Sequence, residues 1–213
     1  MAYNNFTLDM LIQQFGLKIL SKADSFAQAG LVAPSTLLTE TLTDFMPLAL
    51  QISTEKSRSE FIIAPVLADT WRQFKGTISL FSGVDFTVDA EVGLSGVCDY
   101  LFSLTPLQLV VQAPVVAVVE AKNDNIKTGL GQCMAEMLAA QRFNERRGLP
   151  LPVVYGAVTS GSAWKFMSLH DDTVTVDETE YHIEQLETIL GILVYMMREA
   201  LKNQSLEQQG RTV

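Results

Sequence analysis

Residues 114–122 read Pro-Val-Val-Ala-Val-Val-Glu-Ala-Lys, with five successive apolar side chains after the proline and then two charges in three positions. Side chains alternate across a β-strand, so a run that is apolar at every position is buried on both faces. The strand ends abruptly in Glu120-Ala121-Lys122. Residues i and i+2 of a strand share a face about 6.5 Å apart, so Glu120 and Lys122 project together from its C-terminal end. Upstream, Gly96-Val97-Cys98-Asp99-Tyr100-Leu101-Phe102 sets one carboxylate in an otherwise apolar strand. If the two strands pair antiparallel, Asp99 approaches Glu120. Two neighbouring carboxylates repel, and an unpartnered buried charge costs several kcal/mol, so a bound cation is one physical resolution. Oxygen ligands of this kind suit Mg²⁺ or Mn²⁺.

The rest of the chain arranges itself around these strands. Leu8, Leu11, Ile12, Phe15, Ile19 and Leu20 are spaced as on an amphipathic helix over residues 6–28 that starts near Thr7. A shorter helix is expected over 34–50, and another over 57–74 with a kink at Pro65, whose ring and missing N–H disturb the preceding turn. The periodicity then becomes strand-like over 77–81, 85–92, 96–104 and 114–121, a meander of antiparallel strands. Residues 129–147 are helical and stop at Gly148, before Pro150. Residues 153–159 and 164–169 form a further hairpin, and the apolar stripe from Ile183 to Leu201 marks a long closing helix that must bury its face. Helices, strands, helix, strands, helix is an α+β or mixed α/β layout. At 213 residues it is expected to be a single domain, with N-terminal helices to residue 55, a core over 56–170 and a C-terminal helix over 171–213.

Composition narrows the class of protein. A chain that is 48% hydrophobic and 18% charged can build a sizeable core. Its longest apolar runs fall far short of a bilayer span, so no membrane partner is expected. The N-terminus has no basic stretch leading into an apolar one, and Cys98 and Cys133 form no CxxC pair, so a cytoplasmic protein with reduced thiols is expected. A net charge of −9 argues against a generic nucleic-acid binder. Residues 56–165, however, carry ten basic and ten acidic side chains. If several of those acids surrounded a cation, the remaining surface there would be positive, and a phosphate partner stays open.

At Asp99 and Glu120-Ala121-Lys122 the chain resembles the PD-(D/E)xK, or restriction-endonuclease-like, nuclease superfamily. The resemblance spans residues 57–169. It implies a central mixed sheet flanked by helices, with Asp99 and Glu120 binding Mg²⁺ or Mn²⁺ and Lys122 positioning water and stabilising the phosphoryl transition state. It further implies Glu60, in the helix before the sheet, as a metal ligand toward a second ion, and Gln132, at the start of the next helix, as an active-site residue. Cys98 stands where the family often has proline. The activity implied is hydrolysis of nucleic acid by metal-activated water.

Plainer readings stand beside these. Glu120 and Lys122 could be a surface ion pair worth about 0–1 kcal/mol. Ser57-Arg58-Ser59-Glu60 fits a capping box as well as a metal site. Gln132 could be a polar residue of a first helical turn, and Asp124 and Lys127 are read as solvated loop charges. His170 and His182 have no Ser or Cys arrangement typical of nucleophilic catalysis, and no phosphate-loop motif is present. The rival to a nuclease is a non-catalytic interaction or scaffold protein that keeps the same fold. A homodimer is expected in either case, because the Leu8, Leu11, Ile12 and Phe15 face also needs cover.

Overall fold

The computed structural model describes residues 2–210. Its frame is a mixed sheet of eight strands in an α/β arrangement, flanked by helices on both faces. The strands are β1 (Lys18–Lys22), β2 (Ser79–Asp85), β3 (Val97–Ser103), β4 (Val115–Ala121), β5 (Val154–Thr159), β6 (Ala163–His170), β7 (Thr173–Asp177) and the short β8 (Tyr181–His182). They lie in the order β1-β7-β6-β5-β4-β3-β2, with β8 added beside β6. The apolar run is β4, buried at every position between antiparallel β3 and parallel β5. A parallel neighbour requires a crossover, supplied by helix Leu130–Arg146.

The helices are α1 (Leu8–Phe15), α2 (Thr36–Ile52), α3 (Glu55–Arg58), α4 (Ala64–Arg72), α5 (Leu130–Arg146) and α6 (Leu186–Gly210). Ile62, Ile63, Val66 and Leu67, with Ile189, Leu190, Leu193 and Met197 of α6, bury one sheet face against Tyr100, Phe102, Val119 and Phe166. The other face, with Leu101, Val118 and Val158, is covered by Met134, Met137 and Leu138 of α5 and by Tyr3, Phe6 and Leu11. Ala135, Ala139 and Ala140 keep α5 slim, and it approaches β5 so closely that a Cβ on Gly156 would meet Met137 Sδ at 2.4 Å. Asn144, buried in the last turns of α5, exchanges two 2.7 Å hydrogen bonds with the N–H and carbonyl of Val115 and pins the start of β4.

Several expectations are corrected. The helix anticipated over residues 6–28 ends at Phe15, because Gly16 takes the left-handed conformation that closes a helix, φ 70°. Lys18–Lys22 then forms an edge strand parallel to β7, so the N-terminal segment is not purely helical. Likewise residues 171–213 contribute β7 and β8 before the closing helix begins. The strand expected over 85–92 is a loop containing one isolated bridge, Asp89 to Leu94, and opens with the Asp85 carboxylate accepting the Thr87 N–H. The kink foreseen at Pro65 is a π-helical turn, Ser59–Ile63, leading into α4, with Pro65 in the first turn of that helix. There the missing donor removes little. Among the described residues no helix is long and apolar enough to cross a membrane.

Candidate active site

The C-terminal ends of the parallel strands β4 and β5 bring together the buried Glu120, Thr159 and Ser160. The β3–β4 ladder runs with Tyr100 opposite Val119 and Leu101 opposite Val118, so one step further Asp99 faces Glu120 on the same side of the sheet. The Asp99 Oδ2 accepts the Ala121 N–H at 2.8 Å, which fixes its carboxylate at the end of β4. Glu120 is 1% exposed. Its Oε1 accepts from Lys122 Nζ, and its Oε2 is buried with no donor among the described residues. Burial and the Asp99 charge push the Glu120 carboxyl up to about 8, against the opposing pull of Lys122.

Lys122 follows β4, where its N–H bonds the Thr159 carbonyl at 2.8 Å. Burial draws its ammonium pKa down, but the hydrogen bond and charge of Glu120, with Glu55 and Asp99 behind them, raise it further. Lys122 stays cationic, and Glu120 resists ionising because desolvation and Asp99 outweigh one neighbouring cation. Gln132, in the first turn of α5, extends the chain of contacts. Its Oε1 lies 3.4 Å from Lys122 Nζ, and its Nε2 donates to Glu136 Oε1 at 3.1 Å.

Glu136 escaped the sequence reading. It is fully buried one turn beyond Gln132, and its Oε2 has no partner among the described residues. Burial first, then the Glu120 and Asp99 charges, push its carboxyl well above the ordinary carboxylate range. The available signal was a single acid inside Cys133-Met134-Ala135-Glu136-Met137-Leu138-Ala139-Ala140, four residues after Gln132.

Glu60 lies elsewhere. With Asp99, Tyr100, Ser59, Ser82 and Lys56 it lines a cleft of about 400 Å³, whereas Glu120 and Lys122 are not in that lining. Its carboxylate pairs with Lys56 at 2.8 Å and is half exposed. The capping box is one turn earlier than Ser57-x-x-Glu60: Thr54 is the cap and Ser57 closes it, so Glu60 has no capping role. Tyr100 donates its hydroxyl to the Ser59 carbonyl at 3.0 Å and lies 2.7 Å from the Ser59 hydroxyl, tying the π-turn to β3.

Asp99, Glu120, Lys122 and Gln132 are thus in one connected group, and Glu60 adjoins it from the Asp99 side. Among the described residues no three or more His, Cys, Asp or Glu side chains gather as a metal cage. Cys98 and Cys133 are buried free thiols. Asp124 is exposed in the loop after β4 and lies 3.5 Å from Arg58 Nη2. No protein-family model matches the chain, and no curated protein sequence matches it either.

Proposed function

We propose that the protein is a metal-dependent phosphodiesterase of the PD-(D/E)xK type that acts on nucleic acid. The observation that carries this reading is the buried, unpartnered Oε2 of Glu120 opposite Asp99, with Lys122 on the same face. Mg²⁺ is typically bound through one or two carboxylates and keeps several waters, so a two-carboxylate oxygen site with one unused buried acceptor fits Mg²⁺ or Mn²⁺. Asp99 and Glu120 would hold the ion, and Glu60 would extend the donor set along the cleft. When bound, the cation supplies activation of water and neutralises phosphate charge.

The chain's own residues do the remainder. Lys122 carries its positive charge into a site largely shielded from water, where it stabilises negative charge developing on the phosphoryl oxygens during in-line attack. Gln132 accepts from that ammonium and is anchored in turn on Glu136, which limits the orientations open to Lys122. A neutral charge balance over residues 56–165 is compatible with a polynucleotide partner despite the acidic total. The two buried thiols agree with a cytoplasmic setting.

The test is cleavage of supercoiled DNA, single-stranded DNA and RNA with millimolar Mg²⁺ or Mn²⁺. Wild type is expected to cut at least one, and Glu120→Gln and Lys122→Met to cut none. A second reading, a scaffold that keeps this fold, is favoured by the exposed Leu37, Phe45, Leu48 and Ile52 of α2. Wild type without cleavage and without any thermal response to either metal would decide for the scaffold.

A further inference from the structure

Arg58, the last residue of α3, is 9% exposed. Its Nη1 donates to the Ser160 carbonyl at 3.2 Å and to the Ser162 hydroxyl at 3.0 Å, anchoring one end of the guanidinium on the β5–β6 turn. The other edge is the fork of Nε and Nη2, two parallel N–H groups that match two oxygens of a carboxylate or phosphate. Nε is buried with no partner among the described residues. Among the described residues Nη2 meets the Asp124 carboxylate alone, 3.5 Å away on a side chain that is 72% exposed. A desolvated guanidinium with half its fork unused is in deficit by a charged hydrogen bond, which a bidentate oxyanion restores.

The position of this fork adds the second argument. Ser160 follows Thr159, whose carbonyl holds the Lys122 N–H. The guanidinium therefore lies beside the C-terminal ends of the parallel pair β4 and β5, the edge at which open α/β sheets bind ligands. We infer that the Nε/Nη2 fork of Arg58 is an oxyanion subsite, that Asp124 is the internal carboxylate it releases, and that the oxyanion is a backbone phosphate of a polynucleotide next to the Asp99–Glu120 pair. Naming the polynucleotide rests on the proposed phosphodiesterase function; the subsite itself does not.

Binding of inorganic phosphate to the metal-free full chain, in chelator and followed by calorimetry, tests the fork without any hydrolysis. Asp124→Ala removes the competing carboxylate and is expected to tighten phosphate by about threefold or more relative to Asp171→Ala. Asp171 is an acid 84% exposed in the β6–β7 turn, at the opposite end of the sheet. Arg58→Lys keeps the charge and loses the fork, and is expected to weaken phosphate by about tenfold. Asp124→Ala binding no tighter than Asp171→Ala overturns the subsite, as does a folded Arg58→Lys that equals wild type, or no phosphate binding by wild type and Asp124→Ala alike. The Asp124 arm stands even if Arg58→Lys does not fold. A short oligothymidylate bound no tighter than thymidine 5′-monophosphate overturns the polynucleotide assignment. Because no metal is present, these outcomes are separate from the cleavage test of the proposed activity.

Discussion

Glu120→Gln keeps the side-chain volume while removing a carboxylate that burial and Asp99 hold at about 8. The folded protein retains a proton on this group that the unfolded chain gives up near 4.5. Stability from this residue is therefore complete below about pH 4.5 and declines as pH rises toward 8, the reverse of a carboxylate stabilised by a salt bridge. Between 4.5 and 7 the loss reaches about 3 kcal/mol at 1.36 kcal/mol per pH unit, an upper bound because the Glu136 carboxyl and the Lys122 ammonium interact with this group. Discounting that upper bound by about half leaves about 1–2 kcal/mol at pH 7. In a chain of this length that is a rise of about 2–8 °C in melting temperature. Calorimetry in chelator from pH 5 to 8.5 should show the difference between variant and wild type widening with pH. Adding Mn²⁺ at a hundredfold excess over its Kd should then raise wild type by about 2.7 kcal/mol and leave the variant unmoved. Parallel pH courses for the two proteins would refute the assignment of a strained carboxylate, and equal Mn²⁺ responses would move the ion to another site.

Glu136→Gln preserves an acceptor for Gln132 and removes a carboxyl that burial forces to hold its proton, so it should keep turnover within a few-fold of wild type and raise the melting temperature. Glu136→Met leaves Gln132 without its anchor and should lower kcat by about tenfold with KM unchanged in steady-state hydrolysis; a shift in KM alone would contradict the positioning role. Gly156→Ala drives a methyl against Met137 Sδ and Cys133 Sγ, and urea unfolding should show a loss of about 1–3 kcal/mol. Light scattering at micromolar protein should give a homodimer, since Leu8 and Ile12 of α1 and the α2 residues Leu37, Phe45, Leu48 and Ile52 leave apolar surface open; a monomeric mass would remove that association.

How much of this structure is legible in the sequence is governed by range. The β4 run announced itself because burial on both faces leaves no polar position, and its pairing with β3 followed from nearness in sequence. Asp99, Glu120 and Lys122 were legible for the same reason. The edge strand Lys18–Lys22 was not, because five residues cannot outvote the helical spacing of Leu8 to Leu20, and its partner β7 lies far along the chain. Glu136 was hidden by its surroundings, since an acid in an apolar helix gives no local hint of whether it faces water or a strand. Thr54 took the cap expected of Ser57 because a cap is chosen by backbone geometry at the helix start, and Thr-x-x-Ser satisfies it reciprocally.

The π-turn at Ser59–Ile63 is, in effect, one residue more than an α-helix would use over the same span. Each helical residue advances about 100° around the axis, so an extra residue re-phases everything before it relative to everything after. Ile62 and Ile63 in the turn and Val66 and Leu67 after it are buried, while Ser59 and Glu60 at the start of the turn line the cleft. Removing a single residue here would let the helix run regularly and swing the side chains before it, Ser59, Glu60 and the buried Arg58 among them, about a quarter of a turn relative to Val66 and Leu67. A change in chain length by one, rather than any substitution, is enough to reset which side chains the cleft presents.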